Sequence, residues 1–233
     1  MKRALLFVVL GVIFTSVKLY ALEDKIFTSS GQILPGEEWN FVYIYNDDTI
    51  VDMLGGSADW IATYDASTLN VTGGHAQFSA YSYSIVDISD GTHSGAEALN
   101  YGTVNFSGSA SSSFLAASDF GTASMTGGMV EWVGAGNSGI VNIHAGVISD
   151  SLSASNSAIV NIYAYDFNYD PTGGDLDGGQ ITGYWFNDSP FAIDLYGAET
   201  YSHINVIPEP STILLLALGA SFITRRRWLV QSP

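Results

Sequence analysis

Four oxygen-bearing side chains, Asp166, Asn168, Asp170 and Asp177, are the nearest approach in this chain to a ligand set. The first three alternate along the chain, and Asp177 follows Asp166 by eleven residues, close to the spacing at which an EF-hand loop presents oxygens to calcium. Two requirements of that loop are unmet: Pro171 stands where the sharp turn needs glycine, and Asp177 replaces the bidentate glutamate. The segment therefore reads as a capping loop whose aspartates form turns, with calcium at these four residues as the alternative.

Catalysis finds less support. Paired carboxylates can act as general acid and base when they face one cleft in different environments, and Asp87 with Asp90 is such a pair by spacing alone. Enzymes that cleave uronic acids also need a cation to hold the substrate carboxylate, yet Lys25 is the one lysine, and no arginine occurs, between residues 22 and 207. His75, His93, His144 and His203 show neither HExxH nor paired spacing, and each reads as an exposed turn residue. No Gly-x-Ser-x-Gly elbow occurs. The absence of cysteine excludes thiol chemistry and Cys-ligated zinc. The expectation is a protein that is not an enzyme.

Charge narrows the partners. Residues 22–207 hold 22 acidic side chains against one lysine, a formal charge of −21 with the histidines neutral. Such a surface repels nucleic acid and sulfated or phosphorylated polymers. It leaves neutral glycans, divalent cations and basic proteins.

The elements that would position these residues follow from a repeat. A small polar residue between two apolar ones recurs at Asp52, Asn70, Asp87, Asn105, Ser124, Asn142 and Asn161, with a mean step of about 18 residues. Nine places before each centre stand Tyr43, Ile61, Phe78, Ala96, Leu115, Val133 and Leu152, all apolar. Glycine recurs soon after the centre at Gly55, Gly73, Gly91, Gly108, Gly127 and Gly146, where the chain must turn. A unit this short is one coil of a parallel β-solenoid rather than a propeller blade. Its inward side chains contribute roughly 1.5–3 kcal/mol each, too little to offset the ordering of one coil, so stacking is obligatory. The centres should form an outward ladder. An antiparallel β-sandwich is the alternative architecture. Trp39–Tyr45 reads as an N-terminal strand cap, and the aperiodic stretch 165–207 as a C-terminal cap.

Hydroxyls flank several centres, as in Thr68-x-Asn70-x-Thr72 and Thr103-x-Asn105-x-Ser107. Regular arrays of this kind can order water on ice-binding solenoids, but Ile85, Ile140, His144, Ile159 and Tyr163 interrupt the array here. Tyr81, Tyr83, Tyr101 and Trp132 offer aromatic surface to a carbohydrate, with packing as the competing role.

The two ends read as addresses. Lys2 and Arg3 precede an apolar stretch from Ala4 to Phe14, too short for a typical spanning helix, which reads as a signal peptide over residues 1–21. At the other end Pro208, Glu209 and Pro210 lead into an apolar segment at 211–224, read as a transmembrane helix, and then Arg225, Arg226 and Arg227 as a membrane stop. This ordered triplet, apolar run and basic cluster over 208–233 resembles the PEP-CTERM sorting signal of bacterial exported proteins, which is also catalogued as an ice-binding-protein C-terminal domain. The resemblance implies recognition by an exosortase-type membrane protease, transient residence in the inner membrane, and delivery to the cell surface or its exopolysaccharide. The resulting expectation is an exported, acidic β-solenoid of about seven coils, with no cofactor, that serves as a structural or adhesive component of the surface or extracellular matrix. Extracellular binding of neutral polysaccharide is the alternative, with ice ranked below it.

Overall fold

A computed structural model describes residues 22–208. The signal peptide at 1–21, Glu209, Pro210, the apolar segment 211–224 and Arg225–Arg227 lie outside the described residues. Among the described residues no helix is long and apolar enough to cross a membrane.

The described residues wind as a parallel β-solenoid of about eight turns, with 18 strands among them joined into one continuous sheet. Each turn contributes a strand to each of two opposed faces. The first, here the ladder face, is built from Gly31–Ile33, Ile50–Met53, Thr68–Thr72, Ile85–Asp90, Thr103–Phe106 and the first halves of the long strands Thr122–Ala135, Ile140–Ala154 and Ile159–Asp170. The opposite face carries Lys25–Phe27, Glu38–Ile44, Ser57–Thr63, His75–Ala80, Gly95–Ala98 and Ser111–Ala117, then the second halves of Thr122–Ala135 and Ile140–Ala154. Successive rungs pair in parallel and nearly in register, so one sequence position becomes one column along the axis.

Between the faces runs a dry core. From the ladder face come Val51, Met53, Leu69, Val71, Val86, Ile88, Val104, Phe106, Ala123, Met125, Val141, Ile143, Val160 and Ile162, all essentially inaccessible to solvent. Against them the opposite face sets Val42, Ile61, Phe78, Ala96, Leu115, Val133, Leu152 and Leu195 as one buried column. The expected column is found with one correction: Val42, not Tyr43, occupies its first place, because Val42 pairs with Ile61 and the alternation sends Tyr43 outward.

The two corners use different chemistry. At one, the chain reverses through left-handed residues at Asn46, Asp65, Ser82, Asn100, Asp119, Asn137 and Asn156 (φ from 48 to 75°), types that tolerate this region. At the other, glycine supplies the positive φ. The residues concerned are Gly56, Gly74, Gly91, Gly108, Gly128 and Gly146, so at three coils the turning glycine is the second of a pair and not Gly55, Gly73 or Gly127. A Cβ on Gly74 would lie 2.7 Å from the Gly56 carbonyl oxygen, which shows how closely successive rungs approach there.

The ends depart from expectation in number and in place. Trp39–Tyr45 is not a cap: Glu38–Ile44 pairs on one side with Lys25–Phe27 and on the other with Ser57–Thr63, so a further rung precedes it. Lys25, the one Lys or Arg among the described residues, reaches from this first rung to the next, 4.8 Å from the Trp39 ring in a cation–π contact. At the far end Ile159–Asp170 leaves the solenoid, Gln180–Trp185 returns antiparallel to it, and Pro190–Leu195 runs back again to meet Ser151 and Leu152. Trp185 is buried there and donates its Nε1–H to the Gly146 carbonyl at 3.1 Å. A 3-10 turn at Thr200–His203 then delivers Ile204–Ile207, which pairs in parallel with Val160–Tyr163 as the last rung of the ladder face. These terminal rungs raise the count above the expected seven.

Candidate binding surfaces

The ladder face presents three columns. Its centre is the predicted one, running from Asp52 through Asn70, Asp87, Asn105, Ser124, Asn142 and Asn161 to Asn205, every member pointing outward. Asparagines donate to the rung before: Asn70 to Asp52 at 2.8 Å, Asn105 to Asp87 at 2.7 Å, Asn161 to Asn142 at 2.9 Å and Asn205 to Asn161 at 3.2 Å. One flanking column mixes Ile50, Thr68, Ile85, Thr103, Thr122, Ile140 and Ile159. On the other flank the hydroxyls of Thr72, Ser89 and Ser107 turn back to the carbonyls of Met53, Val71 and Ile88. These three hydroxyls are thus directed at the chain.

Aromatic rings form two short stacks at the left-handed corner. Tyr45, Tyr64 and Tyr81 stack with centroids 4.9 and 5.0 Å apart. Tyr83, Tyr101 and Phe120 stack at 5.2 Å for both pairs, and all three sit at positive φ near 70°. Positive φ is costly for a bulky side chain. Stacking across rungs offsets part of that cost while covering the faces of the inner rings. Their edges face solvent.

On the opposite face, two columns enclose a trough. Its floor is the column Glu97, Ala116, Gly134 and Ser153, small at every rung after Glu97. Tyr196 closes the column: Leu195 pairs with Leu152, and the Tyr196 N–H bonds the Leu152 carbonyl. Trp132 walls one side, with the far end of its indole resting where a Cβ on Gly134 would stand, 2.3 Å from Cη2. The other side is the corner column of the stacked tyrosines, which continues through Leu99 to Ser118, Gly136 and Ser155 and so drops in height. The result is two adjoining hollows of about 230 and 210 Å³ that share Ser153 and Ser155. Glu97 is half-buried and its carboxylate makes no hydrogen bond among the described residues; loss of solvation, then the Asp119 charge, raises its pKa.

The four residues considered for calcium do not share a shell. Asp170 accepts from the Thr172 N–H and hydroxyl, each at 2.9 Å, and the N–H bond is the main cause of its lowered pKa. Asp177 accepts from the Gly197 N–H at 2.8 Å, while Asp166 is exposed at positive φ and Asn168 lies across from Thr182. Among the described residues no group of three or more His, Asp or Glu side chains is placed to hold a metal. His93 corrects the expectation of exposed histidines. It is buried edge-on against Phe78, with Nε2 3.0 Å from the Asp90 carbonyl and Nδ1 without a partner. Burial, first of all, lowers its pKa.

The columns and troughs place the chain among β-solenoid repeat proteins, whose function is carried by side chains displayed along an axis. Residues 206–227 match the model of the PEP-CTERM protein-sorting motif, a description of sorting alone. The chain therefore carries the signal of exported proteins that begin as membrane-anchored precursors and are processed by an exosortase, a membrane protease. No curated protein and no solved structure matches the chain.

Proposed function

We propose that the processed protein is a non-catalytic structural or adhesive component of the cell surface or extracellular matrix. The observation that carries this reading is the pairing of the sorting motif with a rigid acidic solenoid: a domain of −21 formal charge that stacks about eight turns is suited to spanning and displaying. Extracellular binding of neutral polysaccharide is the second reading, favoured by the trough beside Trp132. The test is intact-mass analysis of the protein recovered from the envelope and from the extracellular matrix of its host, beside a variant with Pro208→Ala and Glu209→Ala. The expected matrix form ends between Ile207 and Pro210 and is lost in the variant. A chain that keeps its end at Pro233 and stays in the membrane in both cases would overturn the proposal.

A further inference from the structure

The trough from Glu97 to Tyr196 runs along the solenoid axis, across the strands rather than beside them. The two residues are four rungs apart, about 19 Å at the spacing of paired strands. Three properties select its occupant. First, the strands under the floor are paired with both neighbouring rungs, so a peptide laid in the trough meets no free edge with which to form a sheet. Second, the trough presents the hydroxyls of Ser118 and Ser155 on its rim and of Ser153 on its floor, with the indole of Trp132, groups that hydrogen-bond and pack against the hydroxyls and C–H faces of a sugar. Third, the carboxylates at Glu97 and Glu199 lie at its ends with no cation beside them, and the whole domain is acidic, which disfavours uronate and sulfated chains. The glycine under the indole matters too. A side chain at Gly134 would meet Trp132 and displace the wall.

We propose that this trough binds one extended chain of a neutral polysaccharide, laid along the axis between Glu97 and Tyr196 with Trp132 as its packing surface. The proposal rests on the second reading above, extracellular binding of neutral polysaccharide, and the two fail separately: loss of the site in the variants is read apart from retention of the unaltered chain.

The experiment is affinity electrophoresis of the full chain in non-ionic detergent, through gels containing hydroxyethyl cellulose, dextran or yeast mannan, with alginate and polylysine as charged comparisons. Two variants accompany it. Trp132→Ala removes the wall. Gly136→Leu fills the trough from a position where a Cβ has nothing nearer than the Ser118 hydroxyl at 3.9 Å, and Leu99 sets the precedent two rungs earlier in the same column. Retention by at least one neutral polymer, weakened about tenfold or more in both variants while their circular dichroism and urea midpoints hold, is the expected result. Equal retention of both variants would place binding elsewhere and overturn the site while leaving a glycan-binding role standing. Retention on polylysine alone, abolished by salt, would identify a basic partner, and absence of retention on every gel would remove glycan binding; either overturns the proposal.

Discussion

Asn105 donates its side-chain amide to the Asp87 carboxylate 2.7 Å away, one rung along the ladder face. The same bond joins Asn70 to Asp52 at 2.8 Å, so each carboxylate of the column is met by an amide and never by a second carboxylate. In-register stacking makes this alternation necessary, because identical positions recur at about 4.8 Å and like charges directly opposite destabilise a sheet.

Asn105→Asp places two carboxylates on adjacent rungs. It should cost on the order of 1 kcal/mol at low ionic strength, and most of the loss should disappear near about 0.5 M salt as the charges are screened. Urea unfolding at the two salt concentrations, with Asn105→Ser as the uncharged control, measures this. A loss in Asn105→Asp that is indifferent to salt would show that the amide bond, not the charge alternation, matters.

Two glycines, one at each corner of the coil, should behave oppositely. Gly91 sits at φ 102°, and a Cβ there would lie 2.7 Å from His93 Cε1 and 2.8 Å from the Gly74 carbonyl. Gly91→Ala should destabilise by roughly 1–3 kcal/mol, through backbone strain added to the clash. Gly136→Ala meets open space and should be neutral or slightly stabilising, since it restricts the unfolded chain. Paired thermal melts decide it, and similar losses in both would contradict the account.

Stability should fall as pH drops below the ordinary histidine range. Burial holds the pKa of His93 in the folded chain below its free value of 6.5. The unfolded chain therefore binds the extra proton first, and the stability that is full above about pH 6.5 is lost between that value and the lower folded one. His75 nearby lowers the folded pKa further, and Asp90 opposes it. Glu97 acts in the opposite sense, its raised carboxyl pKa giving relative stability on acidification, and His144, whose pKa burial also lowers, adds to the loss, so a Glu97→Gln background leaves the two histidines as the groups compared. Urea midpoints from pH 7.5 down to pH 5.5 should decline with His93 present, decline less steeply in His93→Phe, which puts a ring of similar size against Phe78, and flatten when His144→Phe is added.

The repeat was legible because the solenoid imposes a strict demand on each coil. Val51, Leu69, Val86 and their successors must be apolar where Asp52, Asn70 and Asp87 must not, and that alternation survives in a single sequence. The misassignment of Tyr43 has a physical origin as well. The turn Tyr45–Thr49 sets the step between the two faces in that coil, and one residue of difference moves every side chain to the other side. His93 was misjudged because the short strand Thr92–His93 turns it inward beneath Phe78, a local departure that the period does not encode. The trough was illegible for a different reason. It consists of what is missing, Ala116, Gly134, Ser118 and Gly136 where neighbouring coils carry larger groups, and small residues become a site only once the rungs are stacked.

The last rung is shared property. The sorting match begins at Val206, and Val206 and Ile207 are also the strand residues paired with Ile162 and Tyr163. A substitution at either position is consequently read twice, once by the fold and once by the export machinery, and a sorting defect there cannot be separated from a frayed solenoid by phenotype. Pro208 is the first position of the match that follows the strand, which makes it the earliest residue at which genetics can interrogate recognition without also editing the scaffold.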